Sequence, residues 1–162
     1  MGNYCCFVGH RKIKKTEELK KEIYNTLERL ILCENVDTVL FGSKSEFNTL
    51  CHEITTELKK EFPNIKRVYV RAEYPIISSE YENYLLENYE STYYPEKILN
   101  AGRSVYVQRN FEMINKSDFC IFYFNPSDDE KNKKSGTRIA LEYALKRKKN
   151  IIKFPNWFEF NI

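Results

Sequence analysis

No apolar run in this sequence approaches the ~20 residues that would cross a bilayer. The N-terminus, M-G-N-Y-C-C-F-V, has no charged segment ahead of an apolar stretch, so a signal peptide is not expected. Met-Gly could begin a myristoylation signal, but Cys6 stands where Ser or Thr is needed. The five cysteines, Cys5, Cys6, Cys33, Cys51 and Cys120, are odd in number and show no C-x-x-C spacing. That pattern argues against a zinc site and for reduced thiols, and hence for a cytoplasmic compartment. Cys51 and His52 are adjacent on a helical pattern, so their side chains diverge and do not form a catalytic pair. Net charge is only +3, too little for a typical nucleic-acid binder. The run Lys146-Arg147-Lys148-Lys149 closes a helix, where cations complement the dipole. Internal repeats and low-complexity tracts are also missing.

What remains is an α/β pattern in a chain of 162 residues, enough for one domain with a full core. Tyr4 to Val8 is a continuous apolar run, as in a strand covered on both faces. Thr16 is an N-cap candidate, and Leu19, Ile23, Leu27, Leu30 and Ile31 repeat at helical spacing. Asn35 helps to end that helix. Val36 to Phe41 reads as a second strand. Phe47, Leu50, Cys51, Ile54 and Leu58 mark a second helix that stops near Pro63, and a third strand follows at Arg67 to Arg71. A helix from Arg109 to Lys116, a strand from Phe119 to Phe124, a polar loop from Asn125 to Lys134, a helix from Gly136 to Arg147 and a strand from Asn150 to Phe154 complete the series. The expected fold is a Rossmann-like three-layer sandwich with a mainly parallel sheet of about five strands.

Two segments break the alternation. Residues 72–102 form a tyrosine-rich insert carrying Tyr74, Tyr81, Tyr84, Tyr89, Tyr93 and Tyr94, a placement that suits a lid or specificity loop. These rings either stack on a ligand's base, cover the core or make a dimer surface. Residues 155–162 form an apolar tail with Trp157, Phe158 and Phe160, which either packs back or makes a homo-oligomer contact.

In an open parallel sheet, ligands bind beyond the carboxyl ends of the strands. The candidate ligand-binding residues there are Gly9, His10 and Arg11 after the first strand and Gly42, Ser43, Lys44 and Ser45 after the second. The segment Arg71 to Tyr74 follows the third strand, and the segment Asn125 to Thr137 follows the fourth. Ser135, Gly136 and Thr137 stand where the last helix begins and its free N–H groups suit a phosphate. Arg109, at the start of its helix, would reach a phosphate or pair with Glu112. Gly42 permits close backbone approach. The Gly42 stretch lacks the first glycine of G-x-x-x-x-G-K-[ST], which excludes a P-loop NTPase.

The ordered set C-F-V-G-H-R (Cys6 to Arg11), F-G-S-K-S-E-F-N (Phe41 to Asn48), R-N-F-E-M-I-N-K-S-D (Arg109 to Asp118) and S-G-T-R-I-A-L-E-Y-A (Ser135 to Ala144) resembles the SLOG superfamily. Within it, the chain is most similar to the YpsA-like branch among the DprA/Smf and LOG relatives. The resemblance implies a Rossmann-like domain holding a nucleotide or nucleotide-derived ligand (NAD- or ADP-ribose-like, or cyclic). It also implies a possible place in bacteria–phage conflict, where relatives are thought to sense nucleotide signals. The chain departs from the catalytic members. Those that act on the base carry a glutamate in a G-T-x-E or G-T-x-x-E motif, whereas Ala140 stands at the second of these positions and Lys134-Ser135 replaces the acid before Gly-Thr. Asn48 also replaces an acid after Phe47. Splitting an N-glycosidic bond needs a carboxylate, and Glu142, two residues further along the helix, is turned by about 200°.

The sequence therefore points to binding without catalysis, by a sequestering or sensing protein, with no cofactor beyond the nucleotide-type ligand. The alternatives are a nucleotide N-glycosidase or transferase using Glu73, Asp128 or Glu142, and a protein-interaction module.

Overall fold

A computed structural model describes residues 2–129 and 133–155, without the side chain of Asp128. Six strands form one all-parallel sheet in the order β4-β3-β2-β1-β5-β6. They are β1 (Asn3–Gly9), β2 (Val36–Phe41), β3 (Lys66–Val70), β4 (Ser91–Tyr93), β5 (Phe119–Tyr123) and β6 (Asn150–Phe154). The helices are α1 (Glu17–Cys33), α2 (Glu46–Lys59), α3 (Ser79–Leu86), α4 (Val105–Lys116) and α5 (Gly136–Lys146).

The three layers follow from the period of two in the strands. Cys5 and Phe7 of β1 face one way, with Val39 and Phe41 of β2 and Ile121 of β5. They pack on the apolar stripes of α1 (Leu19, Ile23, Leu27, Leu30) and α2 (Phe47, Leu50, Cys51, Ile54, Leu58). Cys6 and Val8 face the other way with Leu40, Cys120 and Phe122, against Met113 and Ile114 of α4 and Ala140, Leu141 and Ala144 of α5. Each buried leucine of these stripes stabilises the fold by about 2 to 5 kcal/mol relative to alanine.

Local signals set the element ends. The Thr16 side chain accepts from the Leu19 N–H at 3.0 Å and caps α1. Asn35 takes a left-handed conformation (φ 54°) to turn α1 into β2, a conformation asparagine tolerates better than most residues. Ser78 caps α3 in the same way as Thr16, accepting from the Tyr81 N–H.

The sheet differs from expectation by one strand. The insert at 72–102 is not only an excursion: after α3 it returns as β4 and pairs with β3 at Val68–Ser91, Tyr69–Thr92 and Val70–Tyr93. Three residues held by backbone pairing leave no periodicity to read. Helix α4 also begins at Val105, four residues before Arg109, so Arg109 lies mid-helix rather than at its start. The loop after β5 contains a 3-10 turn at Pro126–Asp128, capped by Asn125. Of the tail at 155–162, all but Pro155 lies outside the described residues.

The strand order reverses at β1. From it β2, β3 and β4 run to one side and β5 and β6 to the other. The crevice beyond the carboxyl ends of β1, β2 and β5 is where such sheets hold ligands.

Candidate functional site

A cleft of about 1050 Å³ opens at that crevice. All the candidate residues named from the sequence line it: Gly9, His10 and Arg11; Gly42, Ser43, Lys44 and Ser45; Arg109; and Ser135, Gly136 and Thr137. They come from four segments spread over the chain, and the parallel topology brings their ends together.

The loop after β1 is tied to α2. The Glu46 N–H donates to the Arg11 carbonyl at 2.9 Å, and the Glu46 carboxylate accepts from the Ile13 N–H at 3.0 Å. His10 is buried, and its Nε2 accepts from the Asn125 N–H at 3.0 Å. An accepting Nε2 fixes the neutral tautomer with the proton on Nδ1. His10 thereby joins the end of β1 to the loop after β5.

The second turn is a small hydrogen-bond network. Ser45 caps α2, its Oγ accepting from the Asn48 N–H at 3.1 Å, and Ser43 Oγ donates to Ser45 Oγ at 2.9 Å. Asn48 is buried; its Oδ1 accepts from the Gly42 N–H at 3.3 Å while its Nδ2 donates to the Phe7 carbonyl at 3.4 Å. The amide thus stitches the ends of β1 and β2. A carboxylate at 48 would have no donor for the Phe7 carbonyl.

Gly42 does approach something closely, but on the protein side. A Cβ there would lie 2.5 Å from the Met113 sulfur and 2.8 Å from Arg109 Cδ and Nε. Arg109 itself is buried, and its Nη1 donates to the Gly42 carbonyl and, at 3.3 Å, to the Val70 carbonyl. Its Nε donates to the Asn110 side chain at 2.9 Å. Desolvation pushes its pKa down to about 10, which leaves it charged at neutral pH. Arg109 is therefore a brace under β2 and β3 that also contributes charge to the cleft floor, and it does not pair with Glu112.

At the opposite wall Ser135 caps α5, with Oγ accepting from the Arg138 N–H at 3.1 Å. The N–H groups of Gly136 and Thr137 have no partner among the described residues and head the helix into the cleft. Asp129 holds this corner: its carboxylate accepts from the Ser135 N–H at 3.3 Å and from Arg138 at 3.3 Å. Glu142 pairs with Lys134 at 2.9 Å and Arg138 at 3.4 Å, and the Lys134 bond foremost lowers its pKa. Ala140 is buried in the core. Of the carboxylates weighed for catalysis, only Glu73 lines the cleft, and it accepts a hydrogen bond from the Tyr106 hydroxyl. Asp128 lies outside the described side chains.

Lys133 and Lys134 line the cleft too, from the candidate segment Asn125 to Thr137. Lys12, Tyr69, Tyr106 and Asn110 also line it and escaped the sequence reading. For Lys12 the signal was adjacency to the turn already singled out. Among the described residues the lining carries seven cationic residues (Arg11, Lys12, Lys44, Arg71, Arg109, Lys133 and Lys134) and one carboxylate, that of Glu73. Among the described residues no group of His, Cys, Asp and Glu is arranged to hold a metal ion.

No protein-family model matches this sequence, and no curated protein does. Among solved structures, the molybdenum cofactor carrier protein MCP from Chlamydomonas reinhardtii is similar, with a TM-score of 0.53 and 18% sequence identity. The match covers 94% of this chain and 76% of that one. The likeness is one of fold. It supports the Rossmann-type architecture over nearly the whole chain.

Proposed function

We propose that this protein binds a nucleotide or nucleotide-derived small molecule in the cationic cleft and releases it unchanged, as a sequestering, carrying or sensing protein. The observation that carries this reading is the concentration of charge. Among the described residues the cleft lining holds an excess of six positive residues, while the whole chain has a net charge of +3. The rest of the surface is therefore net acidic, and the field is focused where two helix N-termini, α2 and α5, also point. A ligand carrying more than one phosphate matches that field. The SLOG-like motifs favour the same ligand class, and the structurally similar MCP is a molybdenum cofactor carrier protein.

The alternative of an N-glycosidase rests on Glu73, the one carboxylate lining the cleft among the described residues. Its bond from Tyr106 makes it a positioned acceptor rather than a free base.

The test is mass spectrometry of small molecules released from the purified protein by denaturation, followed by incubation of the intact protein with each one found. A phosphorylated ligand recovered intact supports binding without catalysis. Free base or ribose phosphate appearing with time, and lost in Glu73→Gln, would establish the enzyme. A cleft that neither retains nor rebinds any phosphorylated molecule would sink both readings.

A further inference from the structure

A second cavity of about 390 Å³ lies beside the cationic cleft, between α2, β3 and α3. The two share Ser43, Lys44, Tyr69 and Tyr81, so they meet along one rim. Their chemistry differs sharply. The smaller cavity is lined by four tyrosines, Tyr69, Tyr81, Tyr84 and Tyr89, together with His52, and by one cation, Lys44, with no carboxylate. Resting on the reading of the larger cleft as a phosphate site, we propose that this cavity receives the aromatic base of the same ligand, which is therefore a nucleotide bound by both ends.

The tyrosines divide into two groups. Tyr69 and Tyr89 lean on the core: their ring centroids are 5.2 Å apart, and Tyr89 packs on Phe41 at 5.8 Å. Burial pushes the Tyr89 phenol pKa up to about 12, so it stays a neutral donor. His52 closes this end, stacked obliquely on Tyr89 at 4.8 Å and hydrogen-bonded through Nε2 to the Asn88 carbonyl at 2.8 Å. Tyr81 and Tyr84 are different. They project from one face of α3 with nearly parallel rings (15°) whose centroids are 6.2 Å apart, and Tyr84 is 60% exposed. Core-covering rings would be buried; these face the cavity. None of the four hydroxyls has a hydrogen-bond partner among the described residues, which leaves them available to a base edge.

A neutral aromatic cavity joined to a strongly cationic cleft is complementary to a molecule with a flat uncharged ring at one end and phosphates at the other. Stacking of a base on aromatic side chains is tolerant of base identity and strengthens binding roughly tenfold to a hundredfold per base. A free polyphosphate would gain nothing from the smaller cavity, and an uncharged nucleoside would gain little from the larger.

The test is calorimetric titration of the intact protein with inorganic pyrophosphate and with the 5′-diphosphates of adenosine, guanosine, cytidine and uridine. At least one nucleoside diphosphate is expected to bind roughly tenfold or more tightly than pyrophosphate. Tyr84→Ala should collapse that ratio, and Tyr84→Phe, which keeps the ring, should restore most of it. Tyr84 is exposed, so neither variant threatens folding, and circular dichroism verifies this. Pyrophosphate and all four nucleotides binding alike, with the ratio indifferent to Tyr84→Ala, would overturn the base site while leaving the anion cleft standing. No binding by any of the five probes would overturn both.

Discussion

The guanidinium of Arg109 donates a hydrogen bond to the carbonyl oxygen of Gly42, joining α4 to the end of β2. The same nitrogen reaches the Val70 carbonyl at the end of β3. One buried cation therefore holds together two strand ends that form the cleft floor. Replacing Arg109 with alanine strands two buried carbonyls and leaves a void. We expect a loss of about 2 to 4 kcal/mol in urea unfolding. Arg109→Lys keeps the charge but not the fork and should recover only part of it.

Gly42→Ala should be destabilising for a related reason. The added methyl would press on the Met113 sulfur and the Arg109 side chain. A cost of about 1 to 3 kcal/mol is expected from overpacking, read as a lower unfolding midpoint at unchanged m-value. Gly136→Ala is the control, because a Cβ there meets nothing within 4 Å.

His52 gives a pH signature. Its pKa is lowered from 6.5, chiefly by desolvation, which outweighs the bond to Asn88 and the nearby carboxylates. A histidine harder to protonate in the folded state costs nothing above its unfolded pKa. As pH falls through 6.5 the unfolded chain takes up the proton first, and stability declines until the folded pKa is passed. Stability measured between pH 8 and 5 should show this decline, and His52→Gln should flatten that part of the profile.

Ser135→Ala separates folding from binding. Losing the cap of α5 should cost about 1 kcal/mol of stability. The hydroxyl also lines the cleft, so pyrophosphate affinity should fall as well, whereas Thr16→Ala, which uncaps α1 away from the cleft, should lower stability alone.

The charge of the cleft predicts a salt effect. Pyrophosphate binding should weaken steadily as sodium chloride is raised, because exposed cations are screened over about 8 to 10 Å. Lys44→Ala and Lys134→Ala should each cost about 0.5 to 1 kcal/mol of binding at low salt, measured by titration calorimetry. Lys20→Ala, on the exposed side of α1 beside Glu17, should leave the affinity unchanged.

The core and its alternation were legible because they depend on side-chain periodicity. The apolar runs from Tyr4, Val36 and Phe119 are strands, and the stripes from Leu19 and Phe47 are helices. Strand β4 was not legible, since Ser91, Thr92 and Tyr93 join the sheet through backbone bonds that no side-chain pattern encodes. The candidate residues were found by topology: strand ends must converge in a parallel sheet. What topology does not supply is the direction of a side chain. Arg109 looked like a cation at a helix start, yet the helix begins earlier and turns it under the floor. A hint lay in Met113, one turn along, which marks the same face as buried.

Every residue lining the smaller cavity falls between Ser43 and Tyr89, whereas the lining of the larger one runs from Phe7 to Thr137. The anion-holding half is thus distributed over the chain and must change, if at all, residue by residue within a fixed frame. Much of the aromatic half, Tyr81, Tyr84, Leu85, Asn88 and Tyr89, comes instead from one short stretch, α3 and the turn after it. Its replacement by another stretch of different shape would alter which ring is accepted while the turns that carry the cleft's cations stay in place.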